Sequence, residues 1–135
     1  MTSGSQIVNA MTIDVEEHFH ANVFDGTPVR AIQHSMTSRV EASTRRMLDL
    51  LDAAQTRATC FVLGAVADAH PALVREIAER GHEIASHGYA HQLVYTQTPD
   101  VFRDDVRRAK LTLEALCGVP VRGYRAPSYS VTERS

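Results

Sequence analysis

No apolar run in this sequence approaches the ~20 residues that a membrane-spanning helix needs, so no membrane span is expected. Residues 1–6, MTSGSQ, carry neither a basic region nor an apolar stretch. They do not read as a secretory leader and are expected to form a disordered lead-in. Cysteine is scarce: Cys60 and Cys117 cannot build a disulfide framework, and neither belongs to a Cys-x-x-Cys pair. Both read as buried reduced thiols, in keeping with a reducing, cytoplasmic compartment. Basic excess is missing too. With 14 Lys and Arg against 16 Asp and Glu, the formal charge of -2 argues against a nucleic-acid partner. No glycine-rich phosphate loop follows any predicted strand, which leaves dinucleotide-binding and P-loop folds without support. Internal repeats and low-complexity segments are also lacking.

What is present is an ordinary globular composition, 44% hydrophobic over 135 residues, enough for one domain. Ile7 to Glu16 reads as a buried strand marked by Ile7, Val8, Met11, Ile13 and Val15. A long loop with Gly26 and Pro28 follows. Val40, Met47, Leu48, Leu51 and Ala54 recur at helical spacing between Ser38 and Ala54. Ala58 to Leu63 reads as a second strand closed by Gly64, and Pro71 opens a helix that stops before Gly81. Glu83 to Ser86 is a short third strand. The clearest helix has Thr98 as cap, Pro99 in its first turn, an apolar stripe from Phe102 to Leu116, and Gly118 as its stop. Val119 to Tyr124 completes the pattern as a fourth strand. Such alternation predicts an α/β fold with a parallel sheet of β/α units.

Three segments carry chemistry, each at the C-terminal end of a predicted strand, where parallel folds build ligand sites. In the first, Asp14 and Glu16 stand at i and i+2, so on a strand they share one face. In the second, His87 and His91 stand four apart around Gly88 and can aim two nitrogens at one point. Taken alone, that pair fits a solvated turn as well as a metal site. Beside two acids at another strand end, metal binding becomes the better reading. Hydrolytic metals commonly take two histidines and a carboxylate, and a second carboxylate can then serve as general base. In the third segment, Arg125 can hold a carboxylate ionised, and Pro127 stiffens a turn that offers the Ser128 N–H to an oxyanion. His18 and His20 lack further ligands at suitable spacing. His34, His70 and His82 stand alone as surface or satisfied histidines, and Glu17 reads as structural.

Together these segments resemble the polysaccharide deacetylase family, carbohydrate esterases with the NodB-homology domain. The resemblance rests on Thr12-Ile13-Asp14-Val15-Glu16, Ser86-His87-Gly88-Tyr89-Ala90-His91 and Arg125-Ala126-Pro127, and runs from about Ile7 to Ser130. Val15 stands where the commonest family pattern has a second aspartate, with Glu16 one further on, and Gly88 stands where Ser or Thr is usual. The resemblance implies a distorted (β/α) barrel, of which residues 7–135 would be the N-terminal part, truncated before later motifs that supply a histidine acid. It implies that Glu16, His87 and His91 hold a divalent metal, zinc being expected, while Asp14 is the base and Arg125 its partner. The substrate would be an N-acetylated polysaccharide or oligosaccharide, and the subgroup one associated with exopolysaccharide biosynthesis. Two competing readings are a half-domain that binds metal or sugar without turnover, and an allantoinase-like C–N hydrolase. Unpaired edges of a half barrel would invite homo-oligomers.

Overall fold

A computed structural model describes residues 8–133 and 135. The expected lead-in over residues 1–6, and Ile7 after it, lie outside the described residues. Three strands, β1 (Met11–Val15), β2 (Ala58–Val62) and β3 (Glu83–Ser86), form a parallel sheet in the order β1-β2-β3. Helices α1 (Pro28–Ile32), α2 (Val40–Ala53), α3 (Gly64–Ala69), α4 (Pro71–Glu79) and α5 (Pro99–Cys117) fill the connections. Among the described residues, no helix is long and apolar enough to cross a membrane.

The sheet register positions everything that follows. Val15 pairs with Val62, and Val62 with Ser86, so the three strands end together. On one face Ala58, Cys60 and Val62 are buried, and Cys60 and Val62 join Leu48, Leu73, Ile77 and Leu113 in a single core. Full burial of a side chain of that kind contributes about 1.5–3 kcal/mol. On the other face Asp14, Phe61 and Ala85 line up in register across the sheet. That second face carries the chemistry.

The helices start and stop where local chemistry dictates. Thr98 caps α5 by accepting from the Val101 N–H, and Gly118 ends it in a left-handed turn at φ 71°. For α2, the cap comes from elsewhere in the chain. The buried Glu17 carboxylate accepts from the Arg39 N–H at 3.0 Å and from the Ser38 hydroxyl. Burial works to raise this carboxyl, but those donors outweigh it and hold it below the ordinary carboxylate value. Glu17 is structural, as expected from its place opposite Asp14 and Glu16.

Four expectations are corrected. The first strand begins at Met11, not Ile7, because β2 offers partners only from Ala58 onward; Val8 is 85% exposed. The sequence pattern places no element between Gly64, which closes the second strand, and Pro71, yet Gly64 opens α3, and a Cβ there would meet the Tyr89 ring at 2.4 Å. Val119 to Tyr124 does not form a fourth strand. Its backbone is taken by α5, with the Val121 N–H donating to Glu114 at 2.8 Å and Lys110 donating to the Val121 carbonyl at 2.6 Å. Only Tyr124 pairs, in a parallel bridge to Ser86. Finally, Cys60 is buried and its thiol pushed up to about 11, whereas Cys117 is only partly buried.

His82, read as surface or satisfied, is buried and accepts the Ala58 N–H on Nδ1 at 3.2 Å, joining the start of β2 to that of β3. Its Nε2 is buried without a hydrogen-bond partner. Burial first, and then the Arg57 charge, hold this imidazole below its ordinary value of 6.5. A depressed folded value means that its contribution is present above the unfolded value and is lost as pH falls below it. Urea unfolding at pH 7.5 and pH 5.5 should therefore show the wild type losing stability in acid. His82→Asn, which keeps an acceptor and cannot titrate, should lose less; an equal loss would exclude His82 as a contributor.

Candidate metal centre

Asp14 lies within β1, Glu16 just beyond its end, His87 immediately after β3, and Arg125 immediately after the Tyr124 bridge. The common end of the strands therefore brings all five expected site residues, His91 included, to one edge. His87 is 2% exposed and its Nδ1 lies 2.8 Å from the Arg125 carbonyl. A carbonyl only accepts, so Nδ1 carries the proton and the Nε2 lone pair faces the acids. That Nε2 is 3.9 Å from Glu16 Oε2 and 4.0 Å from Asp14 Oδ2. His91, equally buried, places Nε2 2.9 Å from Glu16 Oε2. Its backbone is left-handed, at φ 58°, a conformation that a side-chain-bearing residue adopts only when its surroundings hold it there.

One ligand atom from each of Glu16, His87 and His91 can be chosen so that all lie within 4.8 Å of one another. His91 Nδ1 is buried without a hydrogen-bond partner, and Glu16 Oε2 is buried with the 2.9 Å approach of His91 Nε2 beside it. A buried carboxylate oxygen is costly unless something positive completes it. Two imidazole nitrogens and one carboxylate oxygen are a donor set suited to zinc, so the residues fit a divalent metal.

Asp14 is held differently. Its Oδ1 accepts from Arg125 at 2.6 Å, while the other arm of the guanidinium donates to Thr12 Oγ1 at 2.8 Å. The guanidinium also lies over the Phe61 ring, 4.0 Å from its centroid. Burial pushes Glu16 up, but His91, His87 and His20 outweigh it and leave its carboxyl below the ordinary value. For His87 burial dominates and holds the imidazole below 6.5, against the opposing pull of Asp14, the Arg125 carbonyl and Glu16. A neutral His87 imidazole beside an ionised Glu16 carboxylate is the combination of protonation states that metal binding requires.

Two features escaped the sequence reading. His20, set aside for want of partners, is close enough for its charge state to be coupled to Glu16 and His91, and its Nδ1 accepts the Glu17 N–H at 3.1 Å. Its position four residues beyond Glu16, in a 3-10 turn over His18–His20, was the available signal. Thr12 was quoted in the motif but given no role. At Ser128, the turn expected to offer an N–H has left-handed Ser128 and Tyr129, and the Ser128 hydroxyl donates to Asn22 Oδ1 at 2.7 Å.

A family model for polysaccharide deacetylases matches residues 14–135, and the chain belongs to that family. A peptidoglycan-N-acetylglucosamine deacetylase of Bacillus cereus is 31% identical over 90 residues, covering 67% of this chain and 33% of its own length. A chitooligosaccharide deacetylase of Sinorhizobium fredii is 35% identical over 85 residues, covering 62% of this chain and 40% of its own. Among solved structures, a Mycobacterium smegmatis protein assigned as a polysaccharide deacetylase superposes with a TM-score of 0.76 at 32% identity. That superposition covers 93% of this chain and 44% of the other. The α/β fold is thus that of part of a deacetylase barrel, and the chain spans well under half the length of these relatives.

Titration with zinc should show binding by the wild type and loss of it in His87→Ala, His91→Ala and Glu16→Ala. Equal zinc content in all four proteins would remove the site. Retention by Glu16→Ala alone would move the carboxylate ligand to Asp14.

Proposed function

We propose that this chain carries the metal-holding and proton-accepting part of a hydrolase that removes N-acetyl groups from an N-acetylated glycan. The observation that supports this best is the separation of the two acids. Glu16 faces His87 and His91, while Asp14, two residues back, is paired with Arg125 at 2.6 Å. One acid is thereby given to the ligand set and the other held in place by the guanidinium to accept a proton.

When bound, a divalent ion such as zinc supplies Lewis acidity toward water and toward the acetyl carbonyl. Glu16, His87 and His91 hold it, and the Arg125 carbonyl keeps the His87 ring in its ligating tautomer. Asp14 accepts the proton of the attacking water, and Arg125 and Thr12 keep its carboxylate oriented. Backbone N–H groups near Ser128 stabilise the oxyanion. Beside His91 opens a polar cavity of about 480 Å³ lined by Asn22, Asp25, Arg30, Gln92 and Gln97, which suits the hydroxyls of a sugar ring. The amide C–N bond then breaks, releasing acetate, and the amine leaves with a proton from the part of its relatives' length that this chain does not span.

The names of the Bacillus and Sinorhizobium relatives support a glycan containing N-acetylglucosamine. The resemblance of the Thr12–Glu17 and Gly123–Ser128 segments to the family subgroup associated with exopolysaccharide biosynthesis favours an exopolysaccharide as the polymer.

In a protein spanning the family's full length, Asp14→Asn should lower turnover of N-acetylglucosamine oligomers by about 10²–10⁴-fold while zinc stays bound. Near-normal turnover would take Asp14 out of the mechanism. The 135-residue chain alone should bind zinc yet show little turnover, and comparable rates in the two proteins would place the acid within these residues.

A further inference from the structure

The loop that carries both histidines is held from two sides. From the sheet side, the His87 N–H donates to the Val62 carbonyl at 3.0 Å, and the Gly64 and Ala65 N–H groups donate to the carbonyls of Gly88 and Tyr89 at 2.9 Å each. From the other side comes α5. The Tyr89 N–H, midway between the two histidines, donates to Asp105 Oδ2 at 3.0 Å. One turn further along α5, the Arg108 guanidinium lies 3.5 Å from the centroid of the Tyr89 ring and donates to its hydroxyl at 2.6 Å. That hydroxyl donates in turn to Asp68 at 2.6 Å.

Asp105 also explains Gly88. The glycine is left-handed, at φ 78°, and a Cβ there would come within 3.0 Å of Asp105 Oδ2. Loop and carboxylate are matched in shape: the absent side chain lets the carboxylate reach the next N–H. His91, two residues on, occupies the left-handed backbone that turns its imidazole toward Glu16. Without an acceptor, the Tyr89 N–H would be left unpaired and the turn free to relax toward conformations that a residue with a Cβ prefers.

We propose that Asp105 is a positioning residue for the metal centre: by accepting the Tyr89 N–H it fixes the Gly88–His91 turn in the geometry that aims His87 and His91 at Glu16. The inference rests on the metal reading only for its effect on affinity. The ordering of the loop is a property of the metal-free chain.

The test uses the 135-residue chain with two measurements. Zinc affinity, by competition with a chelator, should fall by about 10–100-fold in Asp105→Ala, as for other residues that orient ligands. Hydrogen exchange at the Tyr89, Ala90 and His91 amides of the zinc-free protein should quicken. Asp105→Asn, which keeps a carbonyl acceptor, should restore both to within a few-fold of wild type. Leu113→Ala weakens the packing of α5 without touching the loop and should leave both unchanged. Asp105→Leu, of similar volume, replaces the alanine variant if that fails to fold. Wild-type exchange and affinity in Asp105→Ala would overturn the proposal, as would an asparagine variant as impaired as alanine or a Leu113→Ala variant equally impaired. If the wild-type chain bound no zinc, the metal reading would fall, and the exchange rates alone would decide the role of Asp105.

Discussion

Arg125 makes five connections from one position, and the site depends on them. Its N–H donates to the Ser86 carbonyl at 2.9 Å, which extends the sheet by one parallel bridge just before the histidine loop. Its carbonyl accepts a hydrogen bond from the His87 Nδ1–H at 2.8 Å and so decides which nitrogen faces the acids. Its guanidinium holds Asp14 with one arm and Thr12 with the other, lying across Phe61 as it does so. Sheet continuation, imidazole tautomer and carboxylate orientation are thus coupled through a single residue. A bidentate, planar cation can do this where lysine, a point charge on a flexible stem, could not.

That coupling works because the strands are in register. Val15, Val62 and Ser86 sit side by side, so the residues that follow β1 and β3 emerge at one level. The apolar face of the same strands is sealed against α2, α4 and α5 by Leu48, Leu73, Ile77 and Leu113. A densely packed face behind and hydrogen-bonded turns in front leave little freedom for the histidine loop. Glu17 adds a tether: it follows Glu16, which faces the histidines, and is locked onto the start of α2.

Electrostatically the site is arranged by burial against charge. The imidazole of His87 is kept neutral by burial, even with two carboxylates nearby. Glu16 is kept ionised by the surrounding histidines, even though burial opposes it. Each residue resists the protonation state that would prevent metal binding, and the buried Glu16 oxygen beside His91 Nε2 marks where a cation would be most stabilising.

Much of this was legible from residue order alone. Period-two and helical patterns placed β2, β3, α2, α4 and α5, because strand alternation and helical stripes are local properties of the chain. The chemistry-bearing residues were legible too: Asp14, Glu16, His87, His91 and Arg125 fall at strand ends, and that placement follows from the pattern itself. What residue order could not show was decided by contacts between distant segments. The fourth strand gave way because Glu114 and Lys110 of α5 claimed its backbone, and the first strand was shortened because β2 began at Ala58. At Gly64, the start of α3, the Tyr89 ring leaves no room for a side chain. His82 acquired buried surroundings from elements that nothing in its own neighbourhood announces. Periodicity is written within a few residues, so the sequence by itself determined most of the elements and which residues are candidates for the site. Hydrogen-bond partners drawn from tens of residues away exist only once the chain has closed, so the tertiary structure alone decided edges, tautomers and the conformation of the histidine loop.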